Sequence, residues 1–188
     1  MPTLSITITD SADDAQETGG TMNLTGATLN ANFTTQISGM RFANVTLPPG
    51  SAISSAALTL TIASGSYDDP DVTIRAGGTA DAAAFTTTAY DITNRAKTSA
   101  AVTWAAANVG SGPQDTPDLT ALVEEVIAVP GWASGNALAF YIQGNSNSSL
   151  LRWAAADSAD PPATLTITYT PPAAGQPRRT MHQARSRG

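Results

Sequence analysis

The sequence predicts an all-β fold, a β-sandwich with one short helix. Short segments that alternate apolar and polar residues recur along the chain, and turns rich in glycine and proline separate them. Only one segment shows helical spacing instead. With 188 residues the chain can bury a core of its own, so we predict one domain at residues 1–172 followed by an extended C-terminal arm at 173–188.

Eight segments are predicted to be strands because apolar side chains occupy every second position in them. Turn signals such as Pro-Pro-Gly at 48–50 and Gly-Gly at 77–78 separate them. The predicted strands are residues 4–9, 36–42, 57–62, 72–76, 102–104, 138–143, 150–154 and 164–170. Short strands at such intervals are typical of a sandwich of two sheets.

A single helix is predicted at about residues 117–129, where apolar residues recur at helical spacing. These residues are Leu119, Leu122, Val123, Val126 and Ile127. The hydroxyl of Thr116 is expected to cap the helix, and Asp118 lies where the helix dipole favours a carboxylate. Pro130 and Gly131 are expected to end it. We expect this helix to close one end of the sandwich or to cross between its sheets.

The charges are divided unevenly along the chain. All fifteen acidic residues precede Pro161, whereas four of the nine lysines and arginines lie at or after Arg178. The body, residues 1–172, therefore carries five basic against fifteen acidic residues, a formal charge of −10, and the arm carries +4. Such an acidic body argues against nucleic-acid binding by the domain. Without cysteine the chain has no disulfide framework and no thiolate ligand for a metal.

The first residues, MPTLSITITD, alternate like a strand and lack the basic and apolar regions of a signal peptide. No apolar run approaches the ~18 residues of a membrane-spanning helix. We therefore expect neither an export signal nor a membrane partner.

Several segments resemble, in order, parts of the DNRLRE-type β-sandwich domains of bacterial surface proteins and phage proteins. The most specific is TPDLTALVEEVIAVPGWASGNAL at 116–138, and the acidic start at 10–17 is also similar. Further similar segments lie at 41–62, 71–85, 94–104 and 160–170. The resemblance covers roughly residues 4–170. It implies a jelly-roll sandwich of two sheets that serves as a binding or structural module.

The sequence argues against an enzyme. His182 is the only histidine and lies in the arm, so the domain can form neither a Ser-His-Asp triad nor a histidine-rich zinc site. Glu124 and Glu125 fall on the polar face of the predicted helix, where solvated carboxylates are the usual outcome.

Two candidate ligand sites lie in predicted loops. Asp10, Asp13, Asp14 and Glu17 crowd into one acidic loop and are candidate ligands for calcium, which prefers carboxylate oxygens. The alternative is a set of Asx turns without an ion. Tyr67, beside two aspartates, is the candidate platform for a glycan, whereas Trp104 and Trp132 are expected in the core.

The arm is the predicted site of partner binding. Arg178, Arg179, His182, Arg185 and Arg187 form a basic strip next to an acidic body. The alternative is a disordered, solubilising terminus.

These features lead to two functional hypotheses. The first is a non-enzymatic virion structural protein of a tailed phage, a head decoration or tail component, that is made in the host cytoplasm without a signal peptide. Its arm would anchor it to other virion proteins or to further copies of the chain in a homo-oligomer. The alternative is a carbohydrate-binding or adhesion module that recognises host surface glycans, with calcium as a candidate cofactor.

Overall fold

The computed structural model describes residues 1–32, 34–64, 71–105, 109–145 and 150–173. Within these ranges the chain forms two antiparallel sheets, a short 3-10 helix at Ser11–Asp13 and one α-helix, α1, at Thr120–Ile127. The strands are β1 (Thr3–Thr7), β2 (Asp14–Thr18), β3 (Thr21–Asn23), β4 (Thr28–Ala31), β5 (Gln36–Phe42), β6 (Ala52–Ile62), β7 (Asp71–Ala76), β8 (Val102–Ala105), β9 (Gly112–Asp115), β10 (Leu138–Gly144), β11 (Leu151–Ala154) and β12 (Thr164–Thr170). No helix among the described residues is long and apolar enough to cross a membrane.

The strand order is that of a jelly roll. The first sheet has the order β1-β12-β6-β11-β4, and β9 pairs with the other edge of β6. The second sheet has the order β3-β2-β5-β10-β7-β8. Strands β4 to β11 therefore form two four-stranded sets, β4-β11-β6-β9 and β5-β10-β7-β8. In each set, strands from the first half of this series alternate with strands from its second half, as in a jelly roll. This arrangement confirms the predicted fold.

The main core fills the space between the sheets because alternate residues of each strand point inward. Along β6, Leu58 and Leu60 are fully buried while their neighbours are half-buried. Phe42 of β5 and Phe140 of β10 meet edge to face, with ring centroids 6.1 Å apart. Burial of one such ring stabilises the fold by about 2–3 kcal/mol. The two sheets are therefore held together mainly by apolar packing.

The helix is present but shorter than predicted. Leu122, Val123 and Val126 are buried, and α1 packs against β6 and β7. The expectation that Thr116 caps the helix was wrong. Its hydroxyl accepts a hydrogen bond from the backbone N–H of Leu58 at 3.1 Å, and its own N–H donates to the carbonyl of Leu58 at 2.9 Å. Thr116 thus continues the pairing of β9 with β6 instead.

Asp118 supplies the contact that Thr116 does not. Its Oδ1 accepts from the N–H of Thr120 at 3.2 Å, from the hydroxyl of Thr120 at 2.7 Å and from the N–H of Ala56 at 3.2 Å. One carboxylate therefore satisfies the first turn of the helix and ties it to β6.

All eight predicted strands are present, six of them with shifted ends, but four further strands were not predicted. They are β2, β3, β4 and β9. Strand β2 has the sequence DAQET, without a β-branched residue before its end, and its acids suggested a loop. Its first four residues are all buried because both faces of the strand are covered. A strand that is buried on both faces shows no alternation of apolar and polar residues. The alternation used to predict strands therefore did not reveal β2.

Candidate functional site

A long segment without regular strands, the outer loop (residues 77–100), crosses the outer face of the second sheet. Its side chains Ala82, Phe85 and Ile92 pack with Ile37 and Tyr141 in a second, smaller apolar cluster. A Cβ atom on Gly39, in the middle of β5, would lie 2.5 Å from Cζ of Phe85. Glycine is required at that position because the Phe85 ring rests directly on the strand.

A buried carboxylate holds the outer loop to the sheet. Glu17, only 2 % exposed, projects from β2, and its Oε2 accepts from the backbone N–H groups of Ile92 at 3.0 Å and Thr93 at 2.9 Å. Its Oε1 accepts from the hydroxyl of Thr93. These three donors compensate for the burial of the charge, so Glu17 fixes the backbone of the loop.

Lys97 binds the carbonyl groups of the same turn. Its ammonium donates to the carbonyls of Ile92 at 2.8 Å, Thr93 at 3.1 Å and Arg95 at 3.2 Å, and it lies 5.2 Å from the centroid of the Tyr141 ring. Burial lowers the pKa of the Lys97 ammonium, and the Glu17 carboxylate opposes that shift. The loop backbone at 92–95 is thus bound by an anion through its N–H groups and by a cation through its carbonyls.

Arg95 links two parts of the outer loop that are separated in sequence. Its guanidinium forms an ion pair with Asp91 at 2.8 Å and donates to the carbonyls of Ala83 and Ala84. It also lies over the Phe85 ring, 4.5 Å from the centroid. The planar fork of arginine suits this combination of carboxylate, carbonyl and ring contacts.

Tyr90, within this loop, has an unusual conformation. Its φ angle is +62°, a left-handed value that is rare for a bulky side chain, and 50 % of the residue is exposed. Its N–H donates to the carbonyl of Gly20 at 3.0 Å. A Cβ on Gly20 would lie 2.3 Å from Cζ of Tyr90, so the ring rests against a glycine backbone. Among the described residues, Met1 and Tyr90 are the two large apolar residues that are exposed.

A groove of about 430 Å³ opens beside this ring. Its wall includes the exposed residues Thr34 and Thr35, the half-buried Gln143 of β10, and Ile37 of β5. The amide of Gln143 donates to the carbonyl of Thr34 at 2.6 Å, which fixes its orientation. The groove therefore combines a fixed aromatic ring with hydroxyl and amide groups, and Glu17 and Lys97 also line it.

The predicted calcium ligands do not converge. Asp10 accepts from the N–H of Ala12 at 2.8 Å and caps the 3-10 helix, while Asp13 pairs with Arg41. Asp14 and Glu17 are three residues apart on β2 and point to opposite faces of the sheet. Among the described residues no group of three or more acidic, histidine or cysteine side chains could hold a metal ion. The expected cluster is not formed because Asp14 and Glu17 belong to strand β2, whereas Asp10 and Asp13 belong to the 3-10 helix and its cap.

Asp14 differs from Glu17 in its surroundings. Its Oδ2 accepts from the N–H of Ala156 at 2.6 Å, and the residue is 2 % exposed. Burial raises the pKa of Asp14 to about 7, the Ala156 hydrogen bond opposes this shift, and the nearby charges of Asp157 and Asp13 add to it. One donor is not enough to hold the carboxylate charged at neutral pH.

All five basic residues of the body donate within the chain. Besides Lys97 and Arg95, Arg41 donates to Asp13 and to the carbonyl of Ala82 at 2.6 Å. Arg75 donates to the carbonyl of Thr98 at 2.7 Å, and Arg152 donates to the side chain of Asn30 at 3.1 Å. The positive charges of the body are therefore used to hold its own loops.

Two further expectations have a clear outcome. Trp104 and Trp132 are buried, and the indole N–H of Trp132 donates to the carbonyl of Leu47 at 3.1 Å, which confirms their place in the core. Glu124 is exposed as expected, but Glu125 is not merely solvated. Its carboxylate accepts from the N–H groups of Ala100 and Ser99, and these bonds lower its pKa.

Tyr67 and residues 174–188 of the arm lie outside the described residues. The predicted glycan platform and the predicted partner-binding residues Arg178, Arg179, His182, Arg185 and Arg187 therefore stay predictions.

Sequence reasoning missed the groove. Tyr90 looked like one of several ordinary rings, because its contacts with Gly20, from a distant turn, leave no local sequence pattern. A signal was nevertheless present, since the segment 77–100 carries no predicted strand or helix. Long segments of that kind inside a compact domain are often functional.

No protein-family model matches this chain, and a search of curated proteins gives no match.

Proposed function

We propose that this chain is a non-enzymatic structural protein of a tailed-phage virion, a head decoration or tail component, anchored by its basic C-terminal arm. One observation carries the proposal: all five basic residues of the body are engaged inside it, whereas the four remaining arginines lie in the arm. The arm thus supplies the positive charge that is not used by the fold.

The surface of the body offers the complementary charge. Exposed carboxylates lie in loops, on strand β9 and on the helix, and most basic residues that might neutralise them donate to backbone carbonyls. The exposed acids of the described residues include Asp10, Asp81, Asp115, Asp118, Glu124, Asp157 and Asp160. Arginines of one subunit would therefore form charge-assisted hydrogen bonds with carboxylates of its neighbour, either another copy or a different virion protein.

The start of the arm suits this role. Strand β12 ends at Thr170, paired with Ala52, and Pro171, Pro172 and Ala173 are exposed. Because the sandwich behind it is closed by a continuous core, the body would act as a rigid unit while the arm reaches a neighbour.

The test is attachment to phage particles assembled without this protein. Full-length chain and a version that ends at Pro172 are added at low salt, and bound protein is measured after sedimentation of the particles. We expect only the full-length chain to attach, and we expect rising salt to release it because exposed ion pairs are screened. Equal attachment of both versions, or attachment that high salt leaves unchanged, would contradict the anchoring role.

The alternative function, a carbohydrate-binding or adhesion module, is favoured by a separate observation, the exposed Tyr90 ring beside a groove lined by threonines. The two functions are compatible, because the arm and the groove are different parts of the chain. A protein on a virion surface can be held by the one and recognise a host with the other.

A further inference from the structure

We infer that the groove beside Tyr90 binds an uncharged carbohydrate. In this arrangement a sugar ring stacks on the exposed part of the Tyr90 ring. Its hydroxyl groups form hydrogen bonds with Thr34, Thr35 and Gln143 along the groove wall. The inference rests on the carbohydrate-binding alternative and gives it a site, and it does not depend on the arm.

The position of Tyr90 is the first argument. A left-handed φ angle is unfavourable for a bulky residue, so it persists only where its surroundings hold it. The surrounding structure maintains it: the N–H of Tyr90 is bound to Gly20, and its carbonyl accepts from the N–H of Asn94 at 2.9 Å. Glu17 and Lys97 hold the next residues of the loop. An aromatic ring presented to solvent in this way is already ordered before a ligand arrives, which reduces the entropy lost on binding.

The shape of the groove is the second argument. A volume of about 430 Å³ lies in the range of sites for small ligands, roughly 300–1,000 Å³. Tyrosine presents an apolar ring face to the C–H groups of a sugar and a hydroxyl to its polar edge. Threonine hydroxyls and an amide can both donate and accept, as the hydroxyl groups of a sugar also do. Ile37 is the one large aliphatic side chain that lines the groove, so a lipid chain would find no continuous aliphatic surface there.

The charges indicate which carbohydrate fits. Glu17 and Lys97 both line the groove, their formal charges are opposite, and their polar atoms are bound to the backbone of the loop. Neither group is available to pair with a charged ligand without releasing the loop. The site therefore favours neutral sugars over sialylated or sulfated ones.

The experiment uses labelled full-length protein on an array of neutral oligosaccharides and their sialylated counterparts, followed by calorimetry with the neutral sugar that binds best. We expect binding to neutral sugars and a loss of affinity of roughly tenfold or more for Tyr90→Ala, because the stacking ring is removed. Tyr90→Phe should keep most of the affinity because it retains the ring.

A glycine pair provides the matched control. Gly20 and Gly135 both take a left-handed φ angle, +87° and +102°, but only a new Cβ at position 20 collides with the Tyr90 ring, and Gly135 lies outside the groove. Gly20→Ala should therefore abolish binding while Gly135→Ala preserves it, with circular dichroism confirming that both variants are folded. Binding that Tyr90→Ala leaves unchanged would overturn the site but not carbohydrate recognition. No binding to any sugar would overturn both, and preference for sialylated sugars would overturn the charge argument.

Discussion

The two faces of the second sheet are covered in different ways. The inner face meets the first sheet through apolar side chains, among them the edge-to-face pair Phe42 and Phe140. The outer face is covered by the outer loop, whose backbone is bound by Glu17, Lys97 and Arg95. The outer loop lacks the regular backbone hydrogen bonds of a strand. Charged side chains therefore serve as hydrogen-bond partners for its N–H and carbonyl groups. Four of the five basic side chains of the body, all except Arg152, donate to carbonyls of the outer loop, and the groove lies beside that loop at Tyr90, Thr93 and Lys97.

The largest effect is expected from Phe140→Ala, which removes a ring from the main core. We expect a loss of about 3–5 kcal/mol in the free energy of unfolding, because the closely packed sheets cannot fill the cavity. Phe85→Ala removes the same ring from the outer cluster. Its loss should be smaller, because the outer loop can collapse onto Gly39.

Urea unfolding gives both free energies, and amide hydrogen exchange shows where the protein opens. Phe140→Ala should increase exchange throughout both sheets, and Phe85→Ala mainly within residues 77–100. Similar exchange patterns for the two variants would show that the outer loop and the main core unfold as one unit.

Glu17→Ala should have the next largest effect. It leaves two backbone N–H groups and the hydroxyl of Thr93 without their acceptor, which costs about 3 kcal/mol. Glu124→Ala, an exposed acid on the helix, is the matched control and should change stability by no more than about 0.5 kcal/mol. Equal stability of the two variants in urea would mean that the outer loop is not held by the carboxylate.

Asp14→Asn sharpens the comparison between two acids of one strand. The folded-state pKa of Asp14, about 7, lies above the ordinary value of 3.8, so the folded protein binds a proton more tightly than the unfolded chain. The stability that Asp14 contributes to the wild-type protein is fully present below about pH 4, and it is lost as the pH rises towards 7 and above.

The variant cannot ionise, so it should be more stable than wild type at pH 8, by roughly 1–3 kcal/mol, and should lose this advantage at low pH. Thermal unfolding at a series of pH values measures the difference. An advantage that does not vary with pH would show that the Asp14 carboxyl does not titrate in this range.

Lys97→Met is expected to have the smallest effect, about 1–2 kcal/mol, because the ammonium is only half-buried and water can replace part of its contacts with the loop carbonyls. Methionine has a side chain of similar length but removes both the hydrogen bonds and the cation–π contact with the ring of Tyr141. The free energy of local opening, measured by hydrogen exchange of the amides at 92–95, should fall by more than the global free energy of unfolding. A loss as large as that of Glu17→Ala would mean that cation and anion contribute equally.

The predictable part of this molecule is the inter-sheet core. Strands such as β7 and β12 alternate buried and half-buried residues, so their sequence pattern predicts them to within one residue of their observed ends. Strand β2 escaped because it is buried on both faces and carries two acids that serve different partners. The position of Tyr90 escaped because its ring and its N–H contact Gly20, which lies in another part of the chain. Contacts that depend on residues distant in sequence leave no periodic pattern.

The most direct test of the account compares attachment of three full-length proteins to phage particles assembled without this chain. They are the wild type, a variant with Arg178, Arg179, Arg185 and Arg187 replaced by serine, and a variant with the same four replaced by lysine. The account predicts that wild type binds at low salt, that the lysine variant binds more weakly because it loses the bidentate contacts of arginine, and that the serine variant does not bind. Attachment of the serine variant at the wild-type level would contradict the claim that the arm supplies the anchoring charge.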